Sequence, residues 1–201
     1  AWDAVGCDVV LFCAIDEERA GVARGRRVEL VGCGITRWAL TASDKRALIK
    51  KISVTADLTQ ISGLGLFIEA IPEELDMKVK LFKQLSTLCP ENSIFVTNTS
   101  TLSITKMAER LQHPDRFIGV HFMNPVMKMA LVELIRGLKT SDATYQFVRE
   151  FLISLGKTPI EVYEYPGYVK TRIILPMINE AMQVVLEGIA SAEDVDTAMK
   201  L

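Results

Sequence analysis

The chain has 201 residues, 49% of them hydrophobic, and its 23 basic and 25 acidic side chains leave a net charge of −2. This length buries a real core, either as one large domain or as one domain plus part of another, and the interspersed charge excludes a nucleic-acid footprint or an acidic tail. No apolar run reaches the roughly 18 residues a membrane span needs, and no charged-then-apolar leader opens the chain, so a soluble, cytoplasmic protein with no membrane partner is expected.

In chain order, "CDVVLF" (residues 7–12) reads as a short β-branched strand, and the charged stretch "IDEERAGVARGRRVEL" after it as a helix. "SDKRALIKKI" (43–52) opens with cap-like Ser and Asp and reads as a helix, and "LGLFIEAI" (64–71) as a buried strand. "PEELDMKVKLFKQLSTL" places Pro72 at a helix entry, acids in the first turn, and Leu75, Val79 and Phe82 at helical spacing. Then follow "NSIFVTNTS" as strand, "SITKMAERL" as helix, "RFIGVHF" and "MALVELIRG" as strands, "SDATYQFVREFLISLG" as a helix closed by Gly156, and "TPIEVYE" as strand.

Strands alternating with helices predict an open, mostly parallel α/β sheet, doubly wound with helices on both faces. The step from "RFIGVHF" to "MALVELIRG" has no room for a helix, so one antiparallel pair is expected near the edge. At Pro166 and Gly167 the pattern becomes helical to the end, with Ile174, Met177, Ile178, Ala181, Met182 and Val185 forming an apolar stripe that needs a partner surface. The division expected is residues 1–164 as one α/β domain and 165–201 as the first part of an all-helical one.

Two glycine-rich stretches were candidates for phosphate binding. "VELVGCGITRWAL" (28–40) has Gly32 and Gly34 in the first two places of a dinucleotide fingerprint, but Arg37 fills the third with a side chain where close helix packing needs none. It reads as a loop between helices. "GLGLF" (63–67) precedes a strand instead of following one, so its amides cannot be aimed at phosphate from a helix start. Cys7, Cys13, Cys33 and Cys89 show no CxxC spacing, which favours reduced thiols, and no metal is expected.

Seven stretches, in this order, carry a family resemblance: "FIEAIPEELDMKVKLF", "FVTNTSTLSIT", "RFIGVHFMNPV", "LVELIRGL", "LGKTPIEV", "PGYVKTR" and "ASAEDVDTAMKL". The chain resembles the 3-hydroxyacyl-CoA dehydrogenases, the 3-hydroxybutyryl-CoA type in particular, over nearly its whole length except around residues 25–40. The resemblance implies a Rossmann-like fold, NAD as cofactor, an acyl-CoA substrate in butyrate or fatty acid metabolism, and a homodimer formed through the helical domain. So aligned, the chain starts after the family's first strand and glycine-rich loop and stops partway into the helical domain. The family's ribose-binding Asp falls on Cys13, with Asp16 three residues later as the candidate substitute.

The same alignment makes His121, Glu133 and Ser100 the catalytic candidates. An alcohol loses hydride from carbon only if its proton also leaves, so the site needs a base working near neutral pH, and histidine suits that task. Glu133, twelve residues on, meets His121 if the two segments form a tight hairpin about Asn124 and Pro125, and it then orients the ring and favours the imidazolium. Ser100, after a strand at the sheet's carboxyl edge, is placed to donate to the substrate's 3-oxygen. Glu73, Lys78, Asn124 and Ser100 match cofactor-contacting positions. Thr171, with Ser100, falls on the substrate, replacing a family asparagine whose two amide groups a hydroxyl cannot reproduce, and the lysine after the turn is shifted to Lys128.

As bare residues the same positions read differently. His121 and Glu133 would be a satisfied core histidine and a solvated strand glutamate, Ser100 an N-cap, Asn124 turn chemistry, and Glu73 and Lys78 a solvated helix start. His113 stays in a loop, and Arg24, Arg26, Arg27 and Lys45 form a solvated face or meet CoA phosphates. Two further functions stay open: an inert protein keeping the fold and weak acyl-CoA binding, and a hydroxyacid dehydrogenase for a non-thioester substrate.

Overall fold

A computed structural model describes residues 10–13 and 41–201. The expected helix after residue 13, Gly32, Gly34, Asp16, Arg24, Arg26 and Arg27 lie outside the described residues, as do the side chains of Cys13 and Lys45. Five strands form one sheet in the order β3 (Leu66–Glu69), β4 (Ile94–Thr97), β5 (Phe117–Phe122), β6 (Leu131–Arg136) and β7 (Thr158–Tyr163). The β3/β4, β4/β5 and β6/β7 pairs are parallel and β5/β6 is antiparallel, as the missing helix between the last two required.

A second, two-stranded parallel sheet joins β1 (Val10–Cys13) to β2 (Ile52–Thr55). β2 follows helix α1 (Ala42–Lys51) without a break; its first residue, Ile52, ended the stretch read as helix, and the sequence reading assigned no element to residues 53–55. Helix α2 (Leu75–Leu88) begins three residues later than Pro72 suggested, with Glu74 as its first cap and the Pro72 carbonyl accepting from the Glu74 N–H at 2.8 Å. Three further connections follow the expected order: α3 (Ile104–Ala108), α4 (Asp142–Ser154) and, beyond β7, α5 (Lys170–Leu186) with α6 (Ala192–Lys200).

Alternation along the strands sorts the core into two layers. Phe95, Phe117, Ile135 and Val162 pack with Phe82 and Leu85 of α2 and Ile104 and Met107 of α3. Their neighbours Val96, Ile118 and Leu134 face the other way, onto Tyr145, Val148 and Leu152 of α4. Helices therefore cover both faces of a mostly parallel sheet, the arrangement of a doubly wound, Rossmann-like domain. Phe82 anchors the first layer edge-on to Phe117, with ring centroids 4.8 Å apart.

Two glycines are fixed by geometry. At Gly119 an added Cβ would lie 2.6 Å from Ile104 Cδ1 and 3.2 Å from Ile135 Cβ, so α3 can press onto β5 only because that side chain is missing. Gly156, at φ +73°, closes α4 as expected: its N–H donates to the Ile153 carbonyl at 2.9 Å and the Lys157 N–H to Leu152 at 3.0 Å. On α5 the apolar stripe stays open, with Met177, Ile178 and Met182 exposed among the described residues. None of the described helices is long and apolar enough to cross a membrane.

Candidate active site

The antiparallel register of β5 and β6 sets His121 directly opposite Glu133, on one side of the sheet. Twelve residues of separation become a side-chain contact: His121 Nδ1 and Glu133 Oε2 are 2.7 Å apart. The connection is longer than a tight hairpin, spanning residues 123–130. Lys157 holds it by donating to the carbonyls of Val126 and Met129. Lys128, singled out in the sequence, is exposed.

Glu133 is neither solvated nor singly engaged. Its side chain is fully buried, and Oε1 accepts the backbone N–H groups of Val169 at 3.0 Å and Lys170 at 2.8 Å, where α5 begins. With Oε1 taken by two amides, Oε2 is left to accept from a protonated Nδ1. The other ring nitrogen, Nε2, is then an acceptor, and it lies 3.1 Å from Ser100 Oγ, which donates to it. Ser100, His121 and Glu133 thus form one chain of hydrogen bonds. Ser100 is not the cap of α3, because that place belongs to Ser103, whose hydroxyl accepts from the Lys106 N–H.

The loop carrying Ser100 is fixed from two sides by carboxylates. Glu73 Oε1 accepts from the Thr99 hydroxyl, the Ser100 N–H at 3.0 Å, and both the N–H and hydroxyl of Thr101. Burial pushes the Glu73 carboxyl up, but the hydrogen bonds of Thr99, Ser100 and Thr101 and the Lys78 charge together outweigh it, and the group sits below the usual carboxylate range. From the other side Glu164 accepts from the Ser103 hydroxyl and from the N–H and hydroxyl of Thr105.

Lys78 departs most from its expected surroundings. Far from a solvated helix start, its side chain is 0% exposed, with Nζ 2.6 Å from Glu69 Oε1, 3.1 Å from the Ile71 carbonyl and 3.5 Å from Glu73 Oε2. An ammonium has three donors, and three protein oxygens surround this one. Lys78 therefore braces Glu73 from behind. The Glu69 carboxylate is satisfied in turn by the Ile71 N–H at 2.5 Å and the Thr97 hydroxyl at 2.7 Å.

Three participants escaped sequence reasoning. Asn98 follows β4, and its Oδ1 accepts from the Phe122 N–H at 3.2 Å, which ties the carboxyl ends of β4 and β5 together. Tyr168, at φ +47°, places its ring centroid 5.5 Å from that of His121, and its buried hydroxyl finds no partner among the described residues. Burial first, then the charges of Glu73, Glu164 and Glu133, hold that phenol above its usual range. Lys170 lines a cavity of about 310 Å³ together with Asn98, Ser100, His121, Asn124 and Thr171, and Ile174 and Leu175 supply an apolar wall. The signal for these residues was that they lie inside the quoted stretches "FVTNTSTLSIT" and "PGYVKTR". A larger, open groove on the outer face of α2, lined by Asp76, Lys83 and Arg110, holds none of the candidates.

Residues 3–165 match the family described as 3-hydroxyacyl-CoA dehydrogenase, NAD binding domain, and residues 167–201 match the corresponding C-terminal domain. The 3-hydroxybutyryl-CoA dehydrogenase of Clostridioides difficile is 42% identical over 167 residues, 83% of this chain and 59% of that protein. Human mitochondrial hydroxyacyl-coenzyme A dehydrogenase is 44% identical over 203 residues, 98% of this chain and 65% of that one. The crystal structure of (S)-3-hydroxybutyryl-CoA dehydrogenase from Ralstonia eutropha superimposes with a TM-score of 0.90 at 42% identity, covering 98% of this chain and 70% of that one. The chain thus spans between about half and three quarters of the length of these relatives. By the match of both parts in order, it belongs to the 3-hydroxyacyl-CoA dehydrogenase family.

Proposed function

We propose that this protein interconverts a 3-hydroxyacyl-CoA and a 3-ketoacyl-CoA by hydride transfer with NAD, and that His121 is the general acid/base. The observation that carries the reading is the chain Ser100, His121, Glu133 at the mouth of one cavity, with Nε2 facing that cavity and Nδ1 held by a buried carboxylate. In the oxidative direction the 3-hydroxyl gives its proton to Nε2, and the positive charge that forms on the ring is balanced by Glu133 2.7 Å away. Ser100 donates to the substrate oxygen and keeps it on the ring. When bound, NAD supplies the hydride acceptor.

The residues present fit the nicotinamide end of that cofactor. Parallel strands β4 and β5 end beside the cavity, where open α/β sheets bind ligands. Asn98 and Asn124 line it, and their side-chain amide nitrogens make no hydrogen bond with the described residues. Together with the partly exposed face of Glu73, they offer the donors and acceptor a carboxamide needs. The division of labour we infer is residues 1–164 for cofactor and 165–201 as the start of a helical part that closes on substrate through Thr171, with a homodimer formed through that part.

Acetoacetyl-CoA and NADH, followed by loss of NADH absorbance, test the reading: turnover is expected, and His121→Asn abolishes it while leaving the fold intact. A wild-type protein that binds NADH and stays inert would sink it. The inert-scaffold alternative is disfavoured because the hydrogen-bond chain is complete, with no oxygen of Glu133 left over.

A further inference from the structure

Resting on the dehydrogenase reading above, we propose that Lys170 is a specificity-determining residue, and that the acyl part of the substrate carries a carboxylate close to the reacting carbon. Among the described residues Lys170 is the only lysine or arginine lining the cavity that holds Ser100 and His121, and no carboxylate lines that cavity with it. Its backbone is fixed on the rim, because its own N–H donates to Glu133 Oε1 at 2.8 Å. Glu133 itself cannot neutralise the ammonium: the carboxylate is fully buried, and its two oxygens already serve His121 Nδ1, Val169 and Lys170 backbone groups.

Three other half-buried or buried cations among the described residues have partners. Lys78 meets three oxygens, Lys157 two carbonyls, and Arg136 the carboxylates of Asp142 and Glu161. The Lys170 ammonium, on a half-buried residue, makes no hydrogen bond or ion pair with any described residue. A neutral acyl chain filling the cavity would strip water from that charge and give nothing back, whereas a carboxylate would replace the lost water with a charge-assisted hydrogen bond. Discrimination then comes from an interaction with one substrate class and a desolvation penalty against the other.

Two sources present a carboxylate at the same distance from the reacting carbon. One is a dicarboxylic thioester such as 3-hydroxyglutaryl-CoA; the other is a free 3-hydroxy acid such as 3-hydroxybutyrate. Initial rates of NAD reduction are compared for these two and for 3-hydroxybutyryl-CoA, with the wild-type protein, Lys170→Met and Lys170→Arg. We expect kcat/KM for one carboxylate-bearing substrate to exceed that for 3-hydroxybutyryl-CoA by roughly 10- to 100-fold, the worth of one hydrogen bond between charged groups. Lys170→Met erases the preference and Lys170→Arg keeps most of it. The faster of the two arms identifies the source.

A best rate with 3-hydroxybutyryl-CoA that Lys170→Met leaves unchanged would overturn the proposal while upholding the dehydrogenase. Should no substrate turn over, the dehydrogenase reading fails by itself, and calorimetric titration with glutarate and with 3-hydroxybutyrate still reads the lysine. Binding of either that is weakened tenfold or more by Lys170→Met supports the anion site, and no binding, or equal binding to both proteins, refutes it.

Discussion

Glutamine in place of Glu133 is the sharpest probe of the site, because it keeps the shape and removes one acceptor. The carboxylate now accepts from three N–H groups: Nδ1 of His121 at 2.7 Å, and the amides of Val169 and Lys170 at 3.0 and 2.8 Å. A glutamine has one acceptor oxygen and one donor nitrogen. If its oxygen turned to the ring, its NH2 would face two backbone donors, leaving both unpaired, at about 1–3 kcal/mol each. The oxygen therefore stays on the amides and the NH2 faces Nδ1, which forces the ring into the tautomer with the proton on Nε2. That nitrogen can no longer take a proton from the substrate or accept from Ser100.

We expect Glu133→Gln to cost roughly 100- to 10,000-fold in kcat, the usual range for a general base. Stability should fall by only about 1–3 kcal/mol, or roughly 2–4 °C in Tm per kcal/mol. Glu133→Ala should lose distinctly more, since all three donors become unpaired. Nitrogen chemical shifts of the imidazole give a readout independent of turnover: the proton moves from Nδ1 in the wild type to Nε2 in the glutamine variant. An unchanged tautomer with kcat within threefold of wild type, or equal Tm values for Glu133→Gln and Glu133→Ala, would refute the reasoning.

Three other outcomes follow from the geometry. Tyr168→Phe removes a buried hydroxyl with no partner among the described residues, so Tm should rise, by an amount equivalent to about 1 kcal/mol; a fall would mean that the hydroxyl is satisfied in solution. Glu73 has its folded-state pKa below the usual value of 4.5, so it stabilises the fold above that pH and the contribution is lost as pH falls through the depressed value; melting curves of Glu73→Gln between neutral and acid pH should show a flatter acid limb than wild type, and parallel limbs would contradict this. Gly119→Ala drives a Cβ to 2.6 Å from Ile104 Cδ1 and should cost about 1–3 kcal/mol, part of it recovered in the double variant with Ile104→Val; no recovery in chemical denaturation would place the strain elsewhere.

What the sequence disclosed and what it hid divide along a physical line. Short, nearly continuous apolar runs such as "RFIGVHF" and "LVELIR" announced β5 and β6, and the short distance between them announced their antiparallel pairing, from which the contact of His121 with Glu133 follows by register. Gly156 was legible because closing a helix demands a left-handed residue. By contrast, Lys78 as a bare residue read as part of a solvated helix start, and Glu69, nine positions earlier on another element, carried no signal of a partner; only the packing of α2 against the sheet makes them a buried pair. As a bare residue Ser100 read as a helix cap, but Ser103 takes that place, and Glu73 and Glu164 hold the two serines from opposite ends of the fold. β2 was lost because four β-branched or small residues directly after two lysines carry no period of their own.

The double engagement of Glu133 has one more consequence. The residue that readies the imidazole is also the latch that keeps the beginning of α5 seated on the sheet. Swinging that helix away would strip one oxygen of both its partners and let water reach the other, so the ring would lose its fixed orientation in the same movement. Seating of the helical segment and arming of the base are therefore a single equilibrium, and a gaping molecule cannot fire.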